Sequence, residues 1–197
     1  MRSLEWKIPH RDNRPYCHAS DIFTEGLRIV RRLQPDAPLY PVECRFESLL
    51  GSNVVAHFRD QAESNAGATF QFRDATGCKT LQLSNSGGYP RLEGSYSFNE
   101  SGLEKRIAVR GTEIFFNGEL EDPIAAVLGA IKFAAPEKWK DPLGVFVSQI
   151  QMEEALDGKR MQTYNLSVNA RTAFITTKVR RGSQAIGEIH HILRSEK

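Results

Sequence analysis

The residues able to do acid–base or nucleophilic chemistry crowd into the start of the chain. His10, Cys17, His18, Asp21 and Glu25 all fall within the first 25 positions, and two further carboxylates, Glu119 and Asp122, lie close together near its middle. A histidine working with a carboxyl is the usual equipment for moving protons in a transition state. Cys17 and His18 are adjacent, and neighbouring side chains on a loop diverge, so they do not make a thiol–imidazole nucleophile. His10, Cys17 and His18 offer metal-binding atoms, yet no fourth ligand follows at zinc spacing and no C-x-x-C is present. The sequence holds no P-loop, no G-x-G-x-x-G and no H-E-x-x-H. His190 and His191 fall on a strand-like run, which sends one ring to solvent and the other to the core.

These groups must be positioned by the elements around them. Two stretches read as helices, 21–34 and 122–135. The first carries Ile22, Phe23, Leu27, Val30 and Leu33 on one stripe, the second Ile124, Val127, Leu128 and Ile131. Each opens on an Asp able to cap the free N–H groups, and Pro35 and Pro136 stop them. Pro123 suits the first helical position of the second. Period-two alternation predicts strands at 42–50, 53–59, 69–73 and 80–83, and then at 105–110, 113–116, 143–152, 164–169, 173–180 and 185–193. Turn residues such as Asp157-Gly158 and Arg181-Gly182-Ser183 separate them.

The two series share one offset. Asp21 and Asp122 are 101 apart, as are Pro35 and Pro136, Pro41 and Pro142, and Leu27 and Leu128. That argues for a duplicated unit of a strand, one helix and four strands. Residues 1–86 and 104–197 would be the copies, with the Gly- and Ser-rich stretch 87–103 as linker. An antiparallel sheet curled round a single apolar-striped helix buries both, and its free edge can pair with a second copy. The fold class expected is therefore α+β, a double hotdog, with room near the joint for a long thin ligand.

Composition sets the outer limits. A chain of 197 residues, 40% hydrophobic and 25% charged, is ordinary globular material. The longest apolar run, Ile124 to Ile131, is far short of the roughly 20 residues of a membrane span. The first ten residues are too polar for a secretory core, and three cysteines do not make a disulfide framework, so a reducing, cytoplasmic compartment is expected. Net charge is only +2, but residues 159–197 hold 8 Lys+Arg against 2 Asp+Glu. A solvated sheet face accounts for that excess more simply than a nucleic-acid partner does.

Two stretches carry a family resemblance. KRIAVRGTEIFFNGEL (105–120) resembles the strand leading to the F-F-x-G-H turn of hotdog 3-hydroxyacyl-acyl-carrier-protein dehydratases. His10-Arg11-Asp12-Asn13-Arg14-Pro15-Tyr16-Cys17-His18-Ala19 resembles their H-x-x-G-x-P-x-x-P-G loop. Residues 42–81 are similar to the strands of R-specific enoyl-CoA hydratases. Asn13, His18 and Ala19 stand where that loop has Gly, Pro and Gly, and Glu119 stands where the second half would have its His.

The resemblance implies dehydration of a 3-hydroxyacyl thioester carried by acyl carrier protein or CoA, with no tightly held cofactor. Such enzymes use one His and one carboxyl, and a helix N-terminus polarises the thioester carbonyl. His10 or His18 would be the His. The family's acid lies inside the helix, where this chain has Ala125, Ala126, Val127 and Gly129, which leaves Asp122. A capping carboxylate is a poor acid, so Asp122 would orient the hydroxyl or a water while the His handles both protons. Asp21, Glu25 and Glu119 would line the substrate path. A homodimer or a partner hotdog subunit could complete the site. The alternatives are a catalytically silent hotdog that binds an acyl carrier protein or partner enzyme, and a nucleic-acid binder using Lys178, Arg180, Arg181 and Arg194. The second of these needs aromatics beside the basic residues, where only Tyr164 and Phe174 qualify.

Overall fold

The structure is a computed structural model and describes residues 3–11, 16–59, 66–74, 77–88, 93, 95–97, 100–134, 145–171 and 173–193. The chain divides into two compact units, Met1–Phe98 and Asn99–Lys197.

Unit 1 runs β1 (Ser3–Lys7), β2 (His10–Arg11), α1 (Ala19–Leu33), β3 (Val42–Phe46), β4 (Asn53–Arg59), β5 (Ala68–Asp74), β6 (Gly77–Asn85) and β7 (Ser95–Tyr96). Its main sheet has the order β1-β4-β6-β5-β3, every described pair antiparallel, and β2 pairs in parallel with β7. Alternation along the strands turns Val54, Ala56, Phe70, Phe72, Leu81 and Leu83 into the core. The helix lies against that face. Phe23 and Phe70 meet with ring centroids 6.1 Å apart, and a Cβ added at Gly26 would stand 2.1 Å from Cζ of Phe70. Only glycine lets the helix come so close. Arg28, Arg31 and Arg32 stay on its exposed side.

Unit 2 runs α2 (Glu100–Glu104), β8 (Ile107–Arg110), β9 (Glu113–Phe116), α3 (Pro123–Ala134), β10 (Val145–Met152), β11 (Tyr164–Ala170), β12 (Phe174–Arg181) and β13 (Gln184–Leu193). Its strands are ordered β8-β9-β11-β12-β13-β10. Ile124, Ala125, Ala126, Val127, Leu128, Ala130 and Ile131 are all buried, so α3 is apolar almost all round and is enclosed rather than laid on a surface. Ile114, Phe116, Leu166, Val168, Ile175, Val179 and Ile189 form the buried face of the sheet.

The periodic segments fold as strands and helices close to the expected boundaries, with β4 and β9 at the expected residues. Several particulars differ. The first helix begins at Ala19, with His18 as its cap instead of Asp21. The strand expected over 42–50 stops at Phe46. The stretch expected as a linker contributes β7 and most of α2. The stop at Pro136 and the start of the strand expected at 143 lie outside the described residues.

The larger difference concerns sheet order. After the helix, unit 2 sets its four strands as β11-β12-β13-β10, whereas unit 1 sets them as β4-β6-β5-β3. Only residues 171–173 separate β11 from β12, which leaves no choice but a hairpin. Residues 60–67 separate β4 from β5, enough to return on the far side of β6. The 101-residue offset therefore holds through the helix and the following strand and then lapses. Asn53, opening β4, and Tyr164, opening β11, are 111 apart, and a 3-10 turn at Gly158–Thr163 occupies part of the extra length.

Candidate functional site

The mouth of α1 holds a buried polar knot. His18 caps the helix in extended backbone, its Nδ1 accepting from the Ser20 backbone N–H at 3.4 Å and standing 3.0 Å from Ser20 Oγ. Arg11 reaches in from β2 and donates through Nη2 to Ser20 Oγ at 2.5 Å and through Nε to Tyr96 Oη at 3.2 Å. The Tyr96 hydroxyl donates to Asp21 Oδ1 at 2.6 Å, Ser20 Oγ lies 3.3 Å from the same oxygen, and Arg11 Nε is 3.6 Å from Asp21 Oδ2. Arg11, Ser20 and Asp21 are all buried. Burying such an ion pair is costly, and the hydrogen bonds that Tyr96 and Ser20 bring to Asp21 Oδ1 offset part of that cost.

Burial, and then the hydrogen bond to Asp21, push the Tyr96 hydroxyl up to about 12, so it stays protonated and keeps donating. Burial likewise pushes the Cys17 thiol up to about 12, with the Asp21 charge adding to the effect against a hydrogen bond from Ser52. Cys17 is therefore no nucleophile.

The knot gives His18 two hydrogen-bonding arrangements. While Nδ1 accepts from the Ser20 backbone and hydroxyl, the ring proton sits on Nε2 and His18 is a donor there. If the Ser20 hydroxyl turns its proton to Asp21, Nδ1–H can donate to Ser20 Oγ and Nε2 becomes a base. Both arrangements use contacts already present. The first is the one that caps the helix.

The other expected site residues make contacts of their own. Glu25, two turns into α1, is buried and accepts from Trp6 Nε1 at 2.9 Å, with Arg28 on its other oxygen. His10 opens β2 instead of sitting in a loop, and its Nδ1 lies 3.4 Å from the Glu93 carbonyl. Asp122 belongs to unit 2 and caps α3, accepting from the Ala125 N–H at 2.9 Å. Glu119 is exposed, and its backbone carbonyl takes a hydrogen bond from Arg106. The structure thus joins His18 to Asp21 through Ser20. Arg11, Ser20 and Tyr96 were not among the residues singled out by the sequence. Tyr96 is 85 positions from Arg11, and no spacing rule connects them.

The basic end of the chain is less available than its composition suggests. Arg181 pairs with Glu154 at 2.8 Å, and Lys178 stands opposite Glu188 in the β12–β13 register. Tyr164 is buried, while Phe174 is 42% exposed, and Arg194 lies outside the described residues. Among the described residues no helix is long and apolar enough to cross a membrane, and no three His, Cys, Asp or Glu side chains cluster as a metal site.

No protein-family model matches the chain, and no curated protein matches it in sequence. Solved structures do resemble it. The dehydratase domain of the polyketide PpsC from Mycobacterium tuberculosis is 12% identical, with 99% of this chain and 94% of that one covered at a TM-score of 0.51. An acyl-ACP thioesterase from Bacteroides thetaiotaomicron is 10% identical, with 98% and 97% covered at a TM-score of 0.50. A conserved protein of unknown function with hot dog fold, from Alicyclobacillus acidocaldarius, is 7% identical, with 100% and 94% covered at a TM-score of 0.48. At such identities the likeness speaks to architecture alone: the chain shares the overall fold of the PpsC dehydratase domain and of the acyl-ACP thioesterase.

Proposed function

We propose that this chain is a double hotdog, with 1–86 and 104–197 as its halves, that processes acyl thioesters carried by CoA or acyl carrier protein. The reaction we assign is dehydration of a 3-hydroxyacyl thioester. The supporting observation is the His18–Ser20–Asp21 chain of contacts at the mouth of α1. In its base form His18 takes the C2 proton on Nε2. The imidazolium is steadied through Ser20 by the Asp21 carboxylate, and it returns the same proton to the C3 hydroxyl, which leaves as water. One histidine thereby serves both proton transfers. Asp122 at the cap of α3 is kept as the candidate that orients a hydroxyl or a water. Hydrolysis of the thioester is the second reading. It is favoured by the arrangement that caps the helix, in which His18 offers an N–H suited to polarising a carbonyl.

The test uses 3-hydroxydecanoyl-pantetheine, followed for the conjugated enoyl product and, separately, for free thiol. The enoyl signal supports dehydration and thiol release supports hydrolysis. His18→Asn keeps a capping side chain but no titratable ring, and should lower turnover by about 100-fold or more with an unchanged Tm. His10→Ala and Asp122→Asn are measured beside it. Parental rates in all three variants, or a parent that turns over neither way, would leave the silent acyl-binding reading in place.

A further inference from the structure

The buried polar residues of unit 2, among those described, are Thr177 and His191. The strand register puts both on the inner face of the sheet. His191 stands opposite Ile175 on β12 and Val147 on β10, and Thr177 stands opposite Ile189 on β13 and Val168 on β11. The two are therefore diagonal neighbours across the β12–β13 pair, about 7–8 Å apart at Cα. Thr177 Oγ1 and His191 Nδ1 are both buried, and neither has a hydrogen-bond partner among the described residues. A native interior rarely leaves one such atom without a partner, and two on adjacent strands facing the same interior mark a place where a polar guest is accommodated.

The chemistry of the guest follows from its surroundings. A threonine hydroxyl donates and accepts, and a neutral imidazole nitrogen does one or the other by tautomer. The neighbours on this face from β10 and β12, Val147, Ile150, Met152, Ile175 and Val179, bring no charge, and His190 points the other way. Burial, with a further push from the His190 charge, lowers His191 to about 4, which keeps it neutral near pH 7. An anion would find no counter-charge among these described neighbours, and a hydrocarbon would leave both atoms unmet.

We infer that Thr177 Oγ1 and His191 Nδ1 form a polar subsite inside unit 2 that receives an uncharged oxygen, a hydroxyl or keto group, carried on an otherwise apolar chain. That the chain is the acyl group of a thioester rests on the function proposed above; the subsite itself does not.

Calorimetric titration tests it with decanoyl-pantetheine and its 3-hydroxy and 10-hydroxy analogues, and with free decanoate and 10-hydroxydecanoate. At least one hydroxylated probe should bind about tenfold more tightly than its plain counterpart. Thr177→Val, which keeps the shape and removes the hydroxyl, should abolish that preference and keep the fold. The His191 ring 15N resonances should shift with the hydroxylated probe alone. A preference for 10-hydroxydecanoate without binding of any thioester would leave the subsite standing and remove the thioester reading. Equal affinities in the parent protein, a preference untouched by Thr177→Val, or no binding by any probe would overturn the subsite.

Discussion

Acid should weaken this protein through His191. His191 is neutral in the fold, lowered from an ordinary 6.5 to about 4, first by burial and second by His190. In the unfolded chain it takes up a proton near pH 6.5. Because the folded value is the lower one, the unfolded state binds more protons between the two, and stability falls as pH drops through that window. At about 1.36 kcal/mol per unit the full effect is about 3 kcal/mol, of which about 2 kcal/mol is lost by pH 5. Urea unfolding of the parent and of His191→Phe at pH 7.5, 6.0, 5.0 and 4.0 isolates the term, because other titrating groups are common to both. The parent's unfolding free energy should fall away from the variant's between pH 6.5 and pH 4 and run parallel below that. Parallel curves across the whole range would mean that the imidazole is hydrated or charged in the fold, and the argument from burial would fail.

Three further outcomes follow from packing and capping. Gly26→Ala gains about 1 kcal/mol of helix propensity but drives a methyl into the Phe70 ring. A net loss of about 2 kcal/mol in chemical denaturation is expected, partly restored by Phe70→Leu. Arg11→Leu leaves the buried Asp21 without its cation and should cost about 3–5 kcal/mol, with Asp21→Asn recovering part of that in the double variant. Asp122→Ala should lower stability by about 1 kcal/mol, while Asp122→Asn, which keeps an acceptor for the Ala125 N–H, should change it little.

The features legible in the sequence are those set by local pattern. The alternation through Asn53–Arg59 and Glu113–Phe116 gives both strands their true ends, and Asp122-Pro123 marks the start of α3 as it stands. The division of His190 from His191 between half-exposed and buried follows from the same alternation. The start of α1 is not legible, because a histidine cap is uncommon and Asp21 offers a more ordinary one. Asp21 instead turns inward, toward an arginine ten residues earlier and a tyrosine 75 residues later. The strand order of unit 1 is hidden for another reason. Antiparallel strands of similar composition can pair in more than one order, and the length of the connection after β4 decides among them.

The shared offset makes the two helices informative about one another. Shifted by 101, Glu25 of α1 falls on Ala126 of α3, and Gly26 falls on Val127. Both positions are buried in both helices. An apolar side chain is thus compatible with this place in a helix of this kind, and burial of a carboxylate there is not required for packing. Keeping Asp21 and Glu25 inside unit 1 demands Arg11, Tyr96 and Trp6 as partners, drawn from β2, β7 and β1. Replacing such buried charges by well-packed apolar groups is often neutral or stabilising. A protein selected for stability alone would have little reason to hold two carboxylates, an arginine and a capping histidine at one helix mouth. The polar mouth of α1 is therefore the first place to test for chemistry, while the apolar body of α3 holds its unit together.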